Sequence, residues 1–150
     1  MIALALVLAF GGRDALGVYE GWGAFRDASP LRCFAIARPV QRGGAAFASI
    51  GSWPRAGARN QLHLRLSRAR RNDARVTLSI GERRFELRAG PLDAWAPDTR
   101  TDAAVVAAMR EGRSMSVETV GAEGRPFADT YSLKGAATAI DAAALGCVRY

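Results

Sequence analysis

The sequence predicts a mainly β fold, a two-sheet β-sandwich or small barrel with one or two short helices, the sandwich being the preferred form. Three observations point there. Apolar residues between Glu20 and Leu92 recur with a period of two rather than 3.6, turn signals interrupt them at close spacing, and two alanine-rich stretches late in the chain switch to helical spacing.

Each element has its own signal. Trp22 to Arg26, Arg32 to Ala37 and Ala46 to Trp53 are strand candidates, separated by Ser29-Pro30 and by Gly43-Gly44. Leu62, Leu64 and Leu66 alternate with His63, Arg65 and Ser67, so one face is apolar and the other wet. Val76, Leu78 and Ile80 alternate with Thr77 and Ser79, and Gly81-Glu82 turns the chain back into Arg84 to Arg88 as a hairpin. The run from Asp102 to Gly112 predicts a short helix, with Thr101 or Asp102 as cap and a stripe of Val105, Val106 and Met109 lying against a sheet. Strands Ser114 to Val120 and Arg125 to Leu133 follow, joined by Gly121 to Gly124, and Ala136 to Leu145 reads as a second short helix or helical turn. This gives about eight strands. The predicted core is Phe34, Ile36, Phe47, Ile50, Leu62, Leu64, Leu66, Val76, Leu78, Ile80, Phe85, Leu87, Val117, Tyr131 and Leu133.

The two ends bear on where the protein works. Ile2 to Phe10 is an apolar run far shorter than the roughly 20 residues a membrane-spanning helix needs, and small residues at Ala9, Gly11 and Gly12 offer a processing site. Residues 1–12 therefore read as a signal peptide, which a misplaced start codon would leave truncated, and 13–150 as a single domain; an ordinary buried first strand is the alternative. Export gives the two cysteines, Cys33 and Cys147, a reason to pair as one disulfide, the alternative being two buried thiols. Closing a loop of about 115 residues contributes roughly 4 to 5 kcal/mol on chain-entropy reasoning.

Net charge is +7, from 21 basic against 14 acidic residues, and every basic residue but Lys134 is arginine. Such a chain is drawn to acidic surfaces at low salt. The densest run, Arg65, Arg68, Arg70, Arg71 and Arg75, could grip phosphate or sulfate groups of an anionic envelope component, or form a solvated loop. It lacks interleaved aromatics for base stacking, and export argues against nucleic acid.

Candidate catalytic chemistry is sparse. His63 is the only histidine and no serine sits in a Gly-x-Ser-x-Gly elbow, so His63 reads as an exposed strand residue. One histidine and two distant cysteines do not make a zinc site, and no Gly-rich loop carries the Lys-Ser/Thr of a phosphate cradle. No metal, cofactor or catalytic residue is assigned. Asp98 with Asp102, or Glu82 with Glu86, could act as acid and base in a small periplasmic hydrolase; helix capping and solvated turns explain them equally well. Trp22, Trp53 and Trp95 could line a ligand groove or cap the ends of the β-core.

Several stretches together carry a resemblance: Gly21 to Phe25, Arg32 to Ala37, Val76 to Gly81 followed by Phe85, and Tyr131 to Ala136 with Ala139, Ala142 and Cys147. In order and spacing the chain resembles a divergent member of the invasion-associated locus B family of bacterial exported proteins. The resemblance implies an immunoglobulin-like β-sandwich in the periplasm or outer envelope, or secreted, without enzymatic chemistry. Arg26 stands where that pattern often has a further cysteine, so only the Cys33–Cys147 pairing is available here. The expectation is a monomeric, non-enzymatic envelope accessory or binding protein that meets an anionic envelope component or a protein partner. The alternatives are the hydrolase above and a structural component docking into an envelope assembly through an edge strand.

Overall fold

A computed structural model describes residues 12–41 and 43–148. The predicted leader, apart from Gly12, lies outside the described residues. Ten antiparallel strands form one hydrogen-bonded ladder in the order β1-β2-β3-β4-β5-β8-β7-β6-β9-β10. They are β1 (Arg13–Tyr19), β2 (Trp22–Ala28), β3 (Leu31–Ala37), β4 (Phe47–Trp53), β5 (Ala58–Arg65), β6 (Val76–Ile80), β7 (Arg83–Ala89), β8 (Asp93–Trp95), β9 (Ser114–Val120) and β10 (Pro126–Ser132). Helix α1 (Thr99–Glu111) lies between β8 and β9, and α2 (Ala136–Gly146) follows β10.

Two strands go beyond the expected eight. β1 has no alternating apolar pattern and carries Gly17, and β8 is only three residues long, so neither offers a signal of period two. β8 nevertheless joins the halves of the ladder, pairing with β5 through His63, Leu64 and Arg65 and with β7 through Arg88 and Ala89. The ends of the ladder also approach one another. The Val40 N–H donates to the Thr130 carbonyl at 2.7 Å, and the Trp22 indole N–H donates to the Ser132 carbonyl at 2.8 Å. The chain linking β3 to β4 thereby covers the outer edge of β10.

Strand parity decides what is inside. Cys33, Ala35 and Ala37 of β3 and Ala48 and Ile50 of β4 belong to the buried cluster. Ile36 and Phe47, predicted as core, are only partly buried on the opposite face, and Phe34 is covered there without joining that cluster. The reason is packing distance: α2 lies on β1, β2 and β3 with Ala136, Ala139 and Ala143 buried, and small residues on both surfaces allow close approach. The other predicted core residues are buried.

Helix α1 buries the stripe expected of it, Val105, Val106 and Met109. Its cap is Asp98 rather than Thr101 or Asp102; the Asp98 carboxylate accepts from the Thr101 N–H at 2.7 Å. Asp102 lies one turn further on and points inward, where it accepts from the Leu62 N–H at 2.9 Å and ties α1 to β5. Arg110 and Asp141 then pair across α1 and α2 at 2.7 Å. No helix among the described residues is long and apolar enough to cross a membrane.

Candidate functional site

The face of the sheet turned away from the helices carries most of the unusual side chains. Register assembles them in rows across the strands. One row runs Gly23, Ile36, Ser49, His63, Trp95 and Arg88 over β2, β3, β4, β5, β8 and β7. Phe47 and Asp93 flank Arg65 in the next, and Phe25 faces Phe34 at the other side.

At the β8 end, His63 is half-buried rather than exposed. Its ring stacks on Trp95 at 5.5 Å and 6°, meets the Phe47 ring edge-on at 5.1 Å, and its Nε2 lies 2.9 Å from Asp93 Oδ1. Arg65 Nη1 reaches the same carboxylate at 3.0 Å. One carboxylate thus serves a histidine and an arginine, and two rings enclose the imidazole.

At the β1 end, Arg32 lies over Phe34, with its guanidinium carbon 4.0 Å from the ring centre, and 4.9 Å from the centre of Trp53. Gly51 lies beneath this stack, and a methyl there would meet Trp53, Arg32 and Phe34 in ordinary van der Waals contact at 3.4 to 3.5 Å. Arg13 lies 5.2 Å from the same Phe34 ring and holds Asp27 with a two-pronged bond of 2.6 and 2.9 Å. That bond keeps the Asp27 carboxyl below its ordinary range, while burial pulls the Arg32 guanidinium below its own. Arg32 donates only a long 3.4 Å bond to Ser49 Oγ, and its buried Nε has no hydrogen-bond partner among the described residues. Arg13, Asp27, Arg32 and Trp53 line an open cleft of about 790 Å³.

The arginine run of the sequence is spread out. Arg65 pairs with Asp93, Arg71 with Asp73 at 2.9 Å, Arg75 with Glu86 at 3.6 Å and Arg68 with Glu123 at 3.8 Å, the last also lying over Phe127. Arg70 is different: its guanidinium donates to the carbonyls of Ala74, Asn72, Arg71, Gly90 and Ala89 at 2.7 to 3.3 Å. It stitches its own loop to the end of β7. Among the described residues, no three His, Cys, Asp or Glu side chains gather as a metal ligand set.

The candidate acid–base pairs diverge. Asp98 caps a helix and the Thr101 N–H holds its carboxyl low, whereas burial raises the Asp102 carboxyl. Glu82 sits exposed in the β6–β7 turn, and Glu86 faces Arg75. Trp22 is wholly buried in the core, leaving Trp53 and Trp95 on the outer face. Cys33 and Cys147 form a disulfide with a Cα separation of 6.0 Å, which pins the end of α2 to β3.

Comparison with known proteins matches residues 26–144 to the family model described as "Invasion associated locus B (IalB) protein". The chain belongs to the invasion associated locus B family. Among solved structures, invasion associated protein B from Bartonella henselae is similar with a TM-score of 0.62 and 18% identity, over 87% of this chain and 96% of that one. At that identity the likeness speaks for the fold. No curated protein matches the chain. The Arg32–Trp53 stack is absent from the sequence reading because its members are separated in the text; register parity of Arg32 and Phe34 in β3 with Gly51 and Trp53 in β4 was the signal that could have found it.

Proposed function

We propose that this member of the invasion associated locus B family is an exported, monomeric, non-enzymatic accessory or binding protein of the cell envelope. Residues 1–12 are its leader and 13–150 one domain, which we read as an immunoglobulin-like two-sheet sandwich. The observation that carries this reading is the outer face, where rings and guanidinium groups stand in cross-strand rows while the acids a hydrolase would need are committed separately to capping, core and surface pairs. A disulfide between β3 and the end of α2 supports work in an oxidising compartment. On the loop, Arg68, Arg71 and Arg75 are exposed and weakly held, so they are its anion contacts, with Arg65 at its root and Arg70 keeping its shape.

Cell fractionation with thiol alkylation tests the export. The full chain should leave the cell by osmotic shock with neither cysteine alkylated before reduction; retention in the cytoplasm with two reactive thiols would overturn the reading. Sedimentation with lipopolysaccharide vesicles tests the loop: binding should fall steeply between low and moderate salt and drop again in the R68A/R71A/R75A variant.

A second reading, that of a structural envelope component, is favoured by one feature. Among the described residues no strand pairs with the far edge of β1, whereas the outer edge of β10 is covered. Salt-resistant co-purification with membranes, abolished by a proline within Arg13–Tyr19, is the outcome that reading requires.

A further inference from the structure

We propose that the cleft at the β1 end of the outer face binds an acidic sugar, a pyranose ring carrying a carboxylate or comparable oxyanion, with Arg32 as the anion anchor and Trp53 as the apolar wall. The inference rests on the binding-module reading above, but its site is separate from the arginine-rich loop. Three features of the cleft converge on this ligand class.

The first is charge. Two guanidinium groups, those of Arg13 and Arg32, share the Phe34 ring, and the cleft holds a single carboxylate, Asp27. Arg13 fills the Asp27 carboxylate with its two-pronged bond, so Arg32 has no carboxylate of its own among the described residues. One positive charge is left over in a partly desolvated place, and a planar guanidinium offers a geometric match to a planar oxyanion. The second is preorganisation. Phe34 and Trp53 both lie against the Arg32 guanidinium and Ser49 touches its end, so an incoming anion need not order a flexible arginine.

The third feature is the wall. Trp53, Pro30 and Ala28 add apolar surface beside the charge, which an inorganic ion would not use and a ring C–H face would. The volume of about 790 Å³ suits one or two pyranose units, and an open cleft admits the end or the side of a polymer. The His63–Asp93–Arg65 cluster is less suited to the task because its carboxylate already neutralises the arginine beside it.

The test is calorimetric titration of the full chain with digalacturonic acid, and with neutral digalactose and sodium sulfate as separate arms. Digalacturonate should bind, digalactose at least tenfold more weakly, and sulfate without the tryptophan fluorescence change that accompanies the sugar. Arg32→Ala should lower affinity at least tenfold and Arg32→Lys should recover only part of it, while Trp53→Phe should remove most of the fluorescence change. Arg100→Ala, at an exposed position of α1 away from the cleft, should bind as the parent does. Melting curves accompany each variant; if Arg32→Ala unfolds, Arg32→Lys and Trp53→Phe carry the test. Equal binding of the acidic and neutral sugars would overturn the proposal, as would sulfate reproducing the digalacturonate signal or Arg100→Ala losing as much affinity as Arg32→Ala. Failure of these titrations in a protein that is exported and binds lipopolysaccharide would remove the cleft and leave the envelope reading standing.

Discussion

Asp102 and Gly135 show how single positions hold elements together here. Asp102 is buried at the start of α1, and its carboxyl is raised above the ordinary carboxylate value, chiefly by burial. Its raised value means that this group's contribution is fully present below the carboxylate range and is lost as pH rises through the raised value. Asp102→Asn keeps an acceptor for the Leu62 N–H and removes the titration. The variant should therefore gain stability relative to the parent between about pH 4 and about pH 7, as read by urea melts. Gly135 precedes α2 with φ of +87°, and a methyl group there would run into the Tyr19 carbonyl oxygen. Gly135→Ala should cost more than about 1 kcal/mol, because backbone strain and the collision add.

Elements were largely legible where side chains alternate and poorly legible where they do not. Val76 to Ile80 and Ser114 to Val120 were readable to the residue because each strand buries every second side chain on one face. Ranking by size misled the reading at Phe34, Ile36 and Phe47. These large residues stand on the outer face, since the α2 side of β3 is lined by the small residues Cys33, Ala35 and Ala37. The loop between β5 and β6 was legible as charged but not as ordered. Its order comes from Arg70, whose five carbonyl acceptors belong to distant and local backbone alike. Arg70→Ala should destabilise the protein by about 2 kcal/mol and expose 66–75 to protease. Arg68→Ala, at an exposed and loose pair, should change stability by less than about 0.5 kcal/mol.

At the scale of the molecule, the disulfide and the acid pairs set the conditions under which the fold lasts. Cys33→Ser with Cys147→Ser should lower unfolding free energy by about 2 to 5 kcal/mol, measured against the oxidised parent in urea. Asp27, Asp98 and Asp141 are all held below the ordinary carboxylate range, by Arg13, the Thr101 N–H and Arg110 respectively. Their contributions are present above that range and vanish as pH falls through it, so urea midpoints should drop below about pH 4. Arg13→Ala and Arg110→Ala should flatten that drop. The mainly β character with two helices and the pairing of the cysteines were readable from the text alone. The outer-face stacks were not, because they arise from register between strands rather than from any contiguous motif.

The bridge from Cys33 to Cys147 spans 114 positions and encloses everything from β4 to α2 in a covalent ring. A single cut in any enclosed loop, for example at 38–45 or 66–75, opens the ring without releasing a fragment. On a gel run without reductant, nicked and intact protein should travel as one species of unchanged mass, and only reduction would separate the pieces. Wherever the protein meets a protease, one scission would then be survivable damage: the severed strands stay tethered to their ladder neighbours and can re-pair at high local concentration.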